Sequence, residues 1–127
     1  MSKFKCTCGE VIYDQTDHLP YKGYLFADHD YFELFDKIST DIAALMQARL
    51  AGKEKEWHQG YFQNDKATTM ADHDLVFMMI ARQLLHGHVA VYQCPKCGRL
   101  NVEHRDERSR LSSFVPDKTP HRDIFSK

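Results

Sequence analysis

Two close pairs of cysteines are the residues of this chain most able to carry chemistry. The first pair is Cys6 and Cys8, and the second pair is Cys94 and Cys97. Each pair runs directly into a glycine, Gly9 or Gly98, and glycine permits a tight turn with positive φ. Two such turns, here called knuckles, can supply four thiolates to one tetrahedral Zn²⁺. We therefore predict one structural zinc ion per chain, held by these four cysteines.

The two knuckles differ in spacing. The second, Cys94-Pro95-Lys96-Cys97-Gly98, has the usual Cys-Pro-x-Cys-Gly form of a zinc-ribbon knuckle, whereas the first has one residue between its cysteines where ribbons normally have two. If the short pair cannot place both sulfurs, a histidine could replace one ligand; the candidates are His18, His29 and His104.

A disulfide, or four unrelated buried thiols, is the alternative interpretation of these cysteines. The sequence has no apolar segment that could serve as a secretory signal or span a membrane. This favours a cytoplasmic protein without a membrane partner. In a reducing compartment, paired cysteines are more often metal ligands than disulfides.

Catalysis has little support in the sequence. Four thiolates close a zinc coordination shell and leave no position for a reactive water. Four of the eight histidines lie in three short segments, Asp28-His29-Asp30, Asp72-His73-Asp74 and His86-Gly87-His88. The sequence contains no His-Glu-x-x-His motif, phosphate-binding glycine loop or nucleophile signature. We predict that the protein is not an enzyme.

The knuckles must be positioned by a small fold with a large insertion. At 127 residues the chain has the length of one domain, and residues 9–93 separate the two pairs, far more than in a compact ribbon. Short β-type segments flank the knuckles at Val11–Tyr13, Tyr24–Phe26, Val89–Tyr92 and Leu100–Glu103. The predicted fold class is α+β: a zinc-ribbon-like antiparallel sheet with a two-helix insertion over about residues 30–87. A polar tail follows from about residue 105 to residue 127.

The insertion is predicted to contain two helices joined by a linker over Lys53–Ala67. A capping box, Asp30 with Glu33, predicts the start of the first helix, and Gly52 predicts its end. Its predicted apolar stripe comprises Phe35, Ile38, Ile42 and Leu45, widened by Phe32, Met46 and Leu50. The second helix is predicted to begin near Thr68 or Thr69 and to end at Gly87. Because it is apolar on more than one face, we expect it to be buried on two sides.

The distribution of charged and aromatic residues suggests a surface that binds a partner. Residues 1–90 carry a net charge of −4 and residues 91–127 carry +3. Acids beside aromatic side chains are typical of an interface, although each aromatic could instead belong to the core. The predicted partner-binding residues are Glu33, Asp36, Asp41, Trp57, Tyr61 and Phe62. The alternative is a nucleic-acid-binding ribbon that uses Arg99, Arg105 and Arg108, although acids are interleaved with these arginines.

The first knuckle and the sequence after it, over about residues 4–36, together with residues 92–100, resemble a group of small bacterial proteins. These proteins pair a Cys-x-Cys-Gly start with a later Cys-Pro-x-Cys-Gly. The resemblance, with the small size and acidic body, implies a cytoplasmic immunity protein that binds and neutralises a cognate toxin. The middle helices and the tail lie outside the resemblance.

Overall fold

The computed structural model describes residues 2–63, 70–118, 120 and 123–126. Its elements in chain order are β1 (Lys3–Lys5), β2 (Val11–Tyr13), β3 (Lys22–Phe26), α1 (Asp28–Leu50), α2 (Glu54–Phe62), α3 (Asp72–Gly87), β4 (His88–Gln93), β5 (Leu100–Glu103) and β6 (Leu111–Phe114). The α+β class is confirmed, with three helices and two small antiparallel sheets among the described residues. None of the described helices is both long enough and apolar enough to cross a bilayer.

The chain forms two compact units. The ribbon unit comprises Met1–Phe26 and His88–Lys127, and the helical unit comprises residues 27–87. The prediction that residues 1–127 form one domain stays a prediction.

The ribbon unit contains both sheets. Strands β1 and β2 form a two-stranded hairpin around the first knuckle, and the second sheet has the order β3-β4-β5-β6. The knuckle at Cys94–Gly98 joins β4 to β5, so each knuckle is the turn of an antiparallel hairpin. The buried core of this unit comprises Cys6, Ile12, Ala90, Tyr92 and Cys94. Two of the predicted metal ligands are therefore core residues.

All four predicted strand segments are strands, and two further strands were not predicted. β1 has only three residues, and β6 lies in the segment predicted as a polar tail. β6 pairs with β5 along its whole length, from Leu100 opposite Phe114 to Glu103 opposite Leu111. This pairing orders a segment whose polar side chains give little strand signal by themselves.

The helical unit has its own core, formed by Leu45, Leu75 and Met79. Helices α1 and α3 run antiparallel. Arg49 near the end of α1 bonds Asp72 at the start of α3, while Leu34 near the start of α1 contacts Gly87 at the end of α3. The linker prediction was incomplete, because Glu54–Phe62 forms the short helix α2.

Three predicted details of the helices were wrong or fall outside the described residues. The helix α1 begins at Asp28 with Ala27 as its N-cap and no side-chain cap bond, so the Asp30 capping box does not set its start. The buried line of α1 includes Leu34 and Leu45, whereas Phe35 is exposed. The predicted start near Thr68 or Thr69 lies outside the described residues, and α3 is observed from Asp72.

The prediction that the second helix is buried on two sides was also wrong. Leu75 and Met79 of α3 are buried. Four large apolar side chains of the same helix are exposed to solvent, namely Phe77, Met78, Leu84 and Leu85. The helix therefore buries one side and presents an apolar surface on another.

Candidate metal centre

The first knuckle is a tight turn between β1 and β2. The Cys6 amide donates a hydrogen bond to the Glu10 carbonyl at 2.8 Å, and the Gly9 amide donates to the Cys6 carbonyl at 2.9 Å. Gly9 has φ of +97°, a backbone conformation that L side chains disfavour. The turn directs the sulfurs of Cys6 and Cys8 to the same site.

The second knuckle repeats this pattern with one more residue. The Cys94 amide donates to the Arg99 carbonyl at 2.8 Å, and the Gly98 amide, at φ +74°, donates to the Cys94 carbonyl at 2.8 Å. The short Cys-x-Cys spacing therefore forms a knuckle closed by the same two kinds of bond. No replacement ligand is needed to explain it.

The four sulfurs form a compact cluster. The Sγ atoms of Cys6 and Cys97 are 3.7 Å apart, those of Cys8 and Cys94 are 3.6 Å apart, and all four lie within 4.8 Å of one another. A tetrahedron of sulfurs about 2.3 Å from a central zinc ion has edges of about 3.8 Å. Disulfide sulfurs lie only about 2.05 Å apart, and all four cysteines are free. The cluster has the dimensions of a four-thiolate metal site.

The histidines do not join this cluster in the part of the chain that the structure describes. His104 Nε2 bonds Ser112 Oγ at 2.8 Å, and the exposed His29 lies near Asp30. His18 is exposed in the segment between β2 and β3. Among the described residues, the four cysteines are the one group of potential metal ligands that comes together.

The two cysteines of the second knuckle differ in acidity without a metal. Burial raises the pKa of the Cys94 thiol to about 12. Burial acts in the same direction on Cys97, but hydrogen bonds from the backbone and side chain of Arg99 outweigh it, so the pKa of Cys97 falls to about 6. The same contact raises the pKa of Arg99. Bound zinc would hold all four sulfurs as thiolates.

Two residues missed by the sequence analysis support the sulfur cluster. The Asn101 side-chain amide lies 3.9 Å from Cys6 Sγ as a donor, and the Ser113 hydroxyl donates to Asn101 Oδ1 at 2.6 Å. Asn101 is almost fully buried. In the sequence its position looks like the polar, solvent-facing half of an alternating strand, so the pattern gave no signal for this role.

A partly buried polar group lies beside the cysteine cluster, where Tyr92 shares the core with Cys6 and Cys94. The Tyr92 hydroxyl donates to Asp14 Oδ2 at 2.8 Å, and Lys22 Nζ lies 2.8 Å from both Asp14 oxygens. Burial raises the pKa of Asp14, but the bonds from Lys22 and Tyr92 outweigh it, so that pKa is lowered. Burial and the Asp14 carboxylate raise the pKa of Tyr92. These groups tie the segment after β2 to β3 and β4.

The predicted acidic partner-binding residues differ in their surroundings: two are exposed, and the third is hydrogen-bonded to α2 and α3. Glu33 and Asp36 are exposed on α1, with Lys37 Nζ 3.8 Å from Glu33. Asp41 accepts bonds from the Tyr61 hydroxyl at 2.8 Å and from Gln83 Nε2 at 3.0 Å.

The aromatic members of the predicted surface are Trp57, Tyr61 and Phe62, and all three pack on the helical core. Trp57 and Tyr61 are stacked with their ring centroids 4.8 Å apart. Their contacts suit a role in stability, and their partner-binding role stays a prediction.

Two of the arginines proposed for nucleic-acid contact have partners within the chain. The Arg99 side chain bonds Cys97, and Arg108 Nη2 donates to the His88 carbonyl at 3.2 Å. These contacts do not favour the nucleic-acid alternative.

Fold and site together define a small α+β protein with a four-cysteine cluster that could hold a metal ion. The chain matches a family model described as a domain of unknown function (DUF8617) over residues 2–118, and so belongs to that family. No curated protein and no solved structure matches it.

Proposed function

We propose that the metal is Zn²⁺ and that its role is structural. The observation that carries this proposal is the four-sulfur cluster, whose 3.6 and 3.7 Å separations suit the edges of a zinc–thiolate tetrahedron. With four thiolates the coordination shell is closed, so the ion offers no position for substrate. The ion would hold two hairpins together, and the protein would not be an enzyme.

Elemental analysis of protein purified under reducing conditions tests the metal. We expect one zinc per chain, and we expect Co²⁺ substitution to give the absorption of a tetrahedral tetrathiolate site. Substoichiometric zinc that stays low after reduction and zinc addition would contradict the proposal. So would a Co²⁺ spectrum without thiolate-to-metal bands.

We further propose that the protein acts by binding another protein through the outer side of α1. Glu33 and Asp36 are exposed one helical turn apart, and the exposed Phe32 lies beside them. An aromatic side chain flanked by acids suits a partner surface that has an apolar pocket with a basic rim. In keeping with the small size and the acidic body of the chain, we assign this partner to the class of toxin domains, as for an immunity protein.

A capture experiment with a matched pair of variants tests this assignment. Zinc-loaded protein is used as bait with lysate of the source organism, beside the charge reversals Glu33→Lys with Asp36→Lys and, as control, Asp106→Lys with Glu107→Lys. The control reverses two exposed acids of the ribbon unit. We expect one stoichiometric polypeptide that the first variant loses and the control keeps, and that inhibits growth when expressed without the bait.

Two outcomes would overturn the partner proposal. One is equal capture by both variants, which would separate binding from the α1 acids. The other is recovery of RNA or DNA that is released at moderate salt, since salt-sensitive binding is characteristic of phosphate contacts.

A further inference from the structure

Helices α1 and α3 share an exposed apolar surface on the side of the helical unit away from α2. We call it the hairpin face; its large side chains are Tyr31, Phe35, Met46 and Leu50 on α1, with Phe77 and Leu84 on α3. Phe35, Met46 and Phe77 are each more than half exposed, at 53, 61 and 63%. Isolated exposed apolar residues are ordinary, but a contiguous set on two adjacent helices marks an interaction surface.

The position of this face follows from the contacts of α2. On α1, α2 contacts Asp41 through Tyr61, and the long Arg49 side chain reaches Glu54 at the start of α2. On α3, α2 contacts Arg82. At about 100° per residue, Phe35 and Met46 lie about 120–140° around α1 from Asp41, while Phe77 lies about 140° around α3 from Arg82. The antiparallel packing of α1 on α3 then places the two apolar stripes side by side.

We propose that the hairpin face binds a second copy of this chain, so that two helical units form a two-fold symmetric four-helix bundle. Two antiparallel helices with adjacent apolar stripes are half of such a bundle. A two-fold interface uses the same surface on both copies, which this face permits without a second complementary site.

The exposed area of the face fits a stable dimer. With roughly 200 Å² for each large side chain, the exposed fractions of the six residues give roughly 700 Å² of apolar surface per copy. A standard protein–protein interface buries about 800 Å² per partner, and rim residues would add the remainder.

The mass of zinc-loaded protein in solution tests the proposal directly. We expect light scattering at about 100 µM to give about twice the 14.8 kDa chain mass, with dissociation on dilution. A monomer at that concentration, in protein with full zinc occupancy, would overturn it.

A matched pair of substitutions on α3 locates the interface. Phe77→Glu puts a charge in the hairpin face, and we expect it to raise the dimer dissociation constant at least about 100-fold. The control is Leu85→Glu, which changes an equally exposed residue, 60% accessible, on another side of the same helix. A dimer that survives Phe77→Glu but is lost in Leu85→Glu would overturn the assignment of the face.

Met46→Glu on α1 repeats the test from the second helix. Unchanged helical circular dichroism and zinc content show that each variant is folded. The dimer and the proposed toxin binding can be tested separately, because Glu33 and Asp36 are not part of the hairpin face. We expect Glu33→Lys with Asp36→Lys to abolish capture and to leave a dimer. Phe77→Glu should do the reverse.

Discussion

Asn101 and Ser113 form the hydrogen-bonded support of Cys6, one of the four candidate metal ligands. Ser113 fixes the Asn101 amide, which donates toward Cys6 Sγ. We expect Asn101→Ala to lower zinc affinity about 10–100-fold, the usual effect of removing a partner of a metal ligand, and Ser113→Ala to lower it less. Competition with a chromogenic chelator measures both. Ser112→Ala is the control, since the Ser112 hydroxyl bonds His104 instead; an equal loss in that variant would show that the effect is not specific.

Asp14 should contribute stability that depends on pH. Its pKa is lowered from 3.8 in the folded protein, so its contribution is complete above that value and is lost as pH falls through the folded pKa. At neutral pH we expect Asp14→Asn to lower the free energy of unfolding by about 1–3 kcal/mol, because Lys22 and Tyr92 lose a charged acceptor. Urea unfolding of the zinc-loaded proteins at pH 7 measures this difference.

Asp17→Asn, a change at an exposed acid of the same segment, is the control and should be neutral at pH 7. An Asp14→Asn protein as stable as the wild type, or an equal loss of stability in Asp17→Asn, would contradict the assignment.

At the level of residues, the four candidate metal ligands could be identified from the sequence, but the polar residues that support the site could not. Few arrangements besides a metal knuckle combine two closely spaced cysteines with a following glycine, so the four cysteines could be chosen from the sequence. Asn101, Ser113 and Asp14 are ordinary polar residues, and only the tertiary fold places them against sulfur or against Tyr92. No local sequence pattern indicates these tertiary contacts.

One glycine in a turn with positive φ and one glycine within a helix allow the role of each to be tested by substitution with alanine. Gly9 sits at φ +97° in the first knuckle, Gly60 lies within α2, and an added Cβ would meet nothing within 4 Å at either position. We expect Gly9→Ala to destabilise by about 1–2 kcal/mol through backbone strain alone. Gly60→Ala should stabilise by about 0.5–1 kcal/mol through helix propensity. Thermal unfolding of the zinc-loaded variants would show opposite shifts, and shifts of the same sign would refute the assignment of these two roles.

The elements with strong local patterns were predictable, and the short ones were not. The long apolar stripe of α1 and the β-branched residues in β4 are strong signals. The strand β1 is too short to show alternation. Gly60 lowers the helix propensity of the α2 segment, and β6 is ordered by its pairing with β5. Which apolar side of α1 is buried could not be predicted, because Leu34 and Phe35 are equally good core candidates in the sequence.

For the whole molecule, we expect metal removal to affect the two units differently. The ribbon core contains the ligands Cys6 and Cys94, whereas the helical core of Leu45, Leu75 and Met79 contains no ligand. A strong chelator added to the full chain should remove the chemical-shift dispersion of the sheet amides in an NMR spectrum. It should leave most of the helical circular dichroism at about 222 nm, the band that reports α-helix.

The control for this experiment is restoration of the sheet signals by added zinc. Loss of sheet and helix in one cooperative transition would contradict independent stability of the helical unit. The expectation follows from where a bound metal would act. It would join the two knuckles at the ends of residues 9–93, both of which lie in the ribbon unit, and the entropy of closing that loop rises only slowly with its length.

The pairing of Phe26 with His88 has a consequence for how such a protein can change. These two residues are opposite each other in the β3–β4 ladder, so the chain departs from the sheet and returns to it at a single rung. The whole of residues 27–87 could be exchanged for a two-residue turn, or for an unrelated helical domain with neighbouring termini, without a change in strand register. The ribbon unit can therefore accept different insertions at this one position. Evolution or a protein engineer could replace the helical unit while the ribbon unit and its four cysteines are kept.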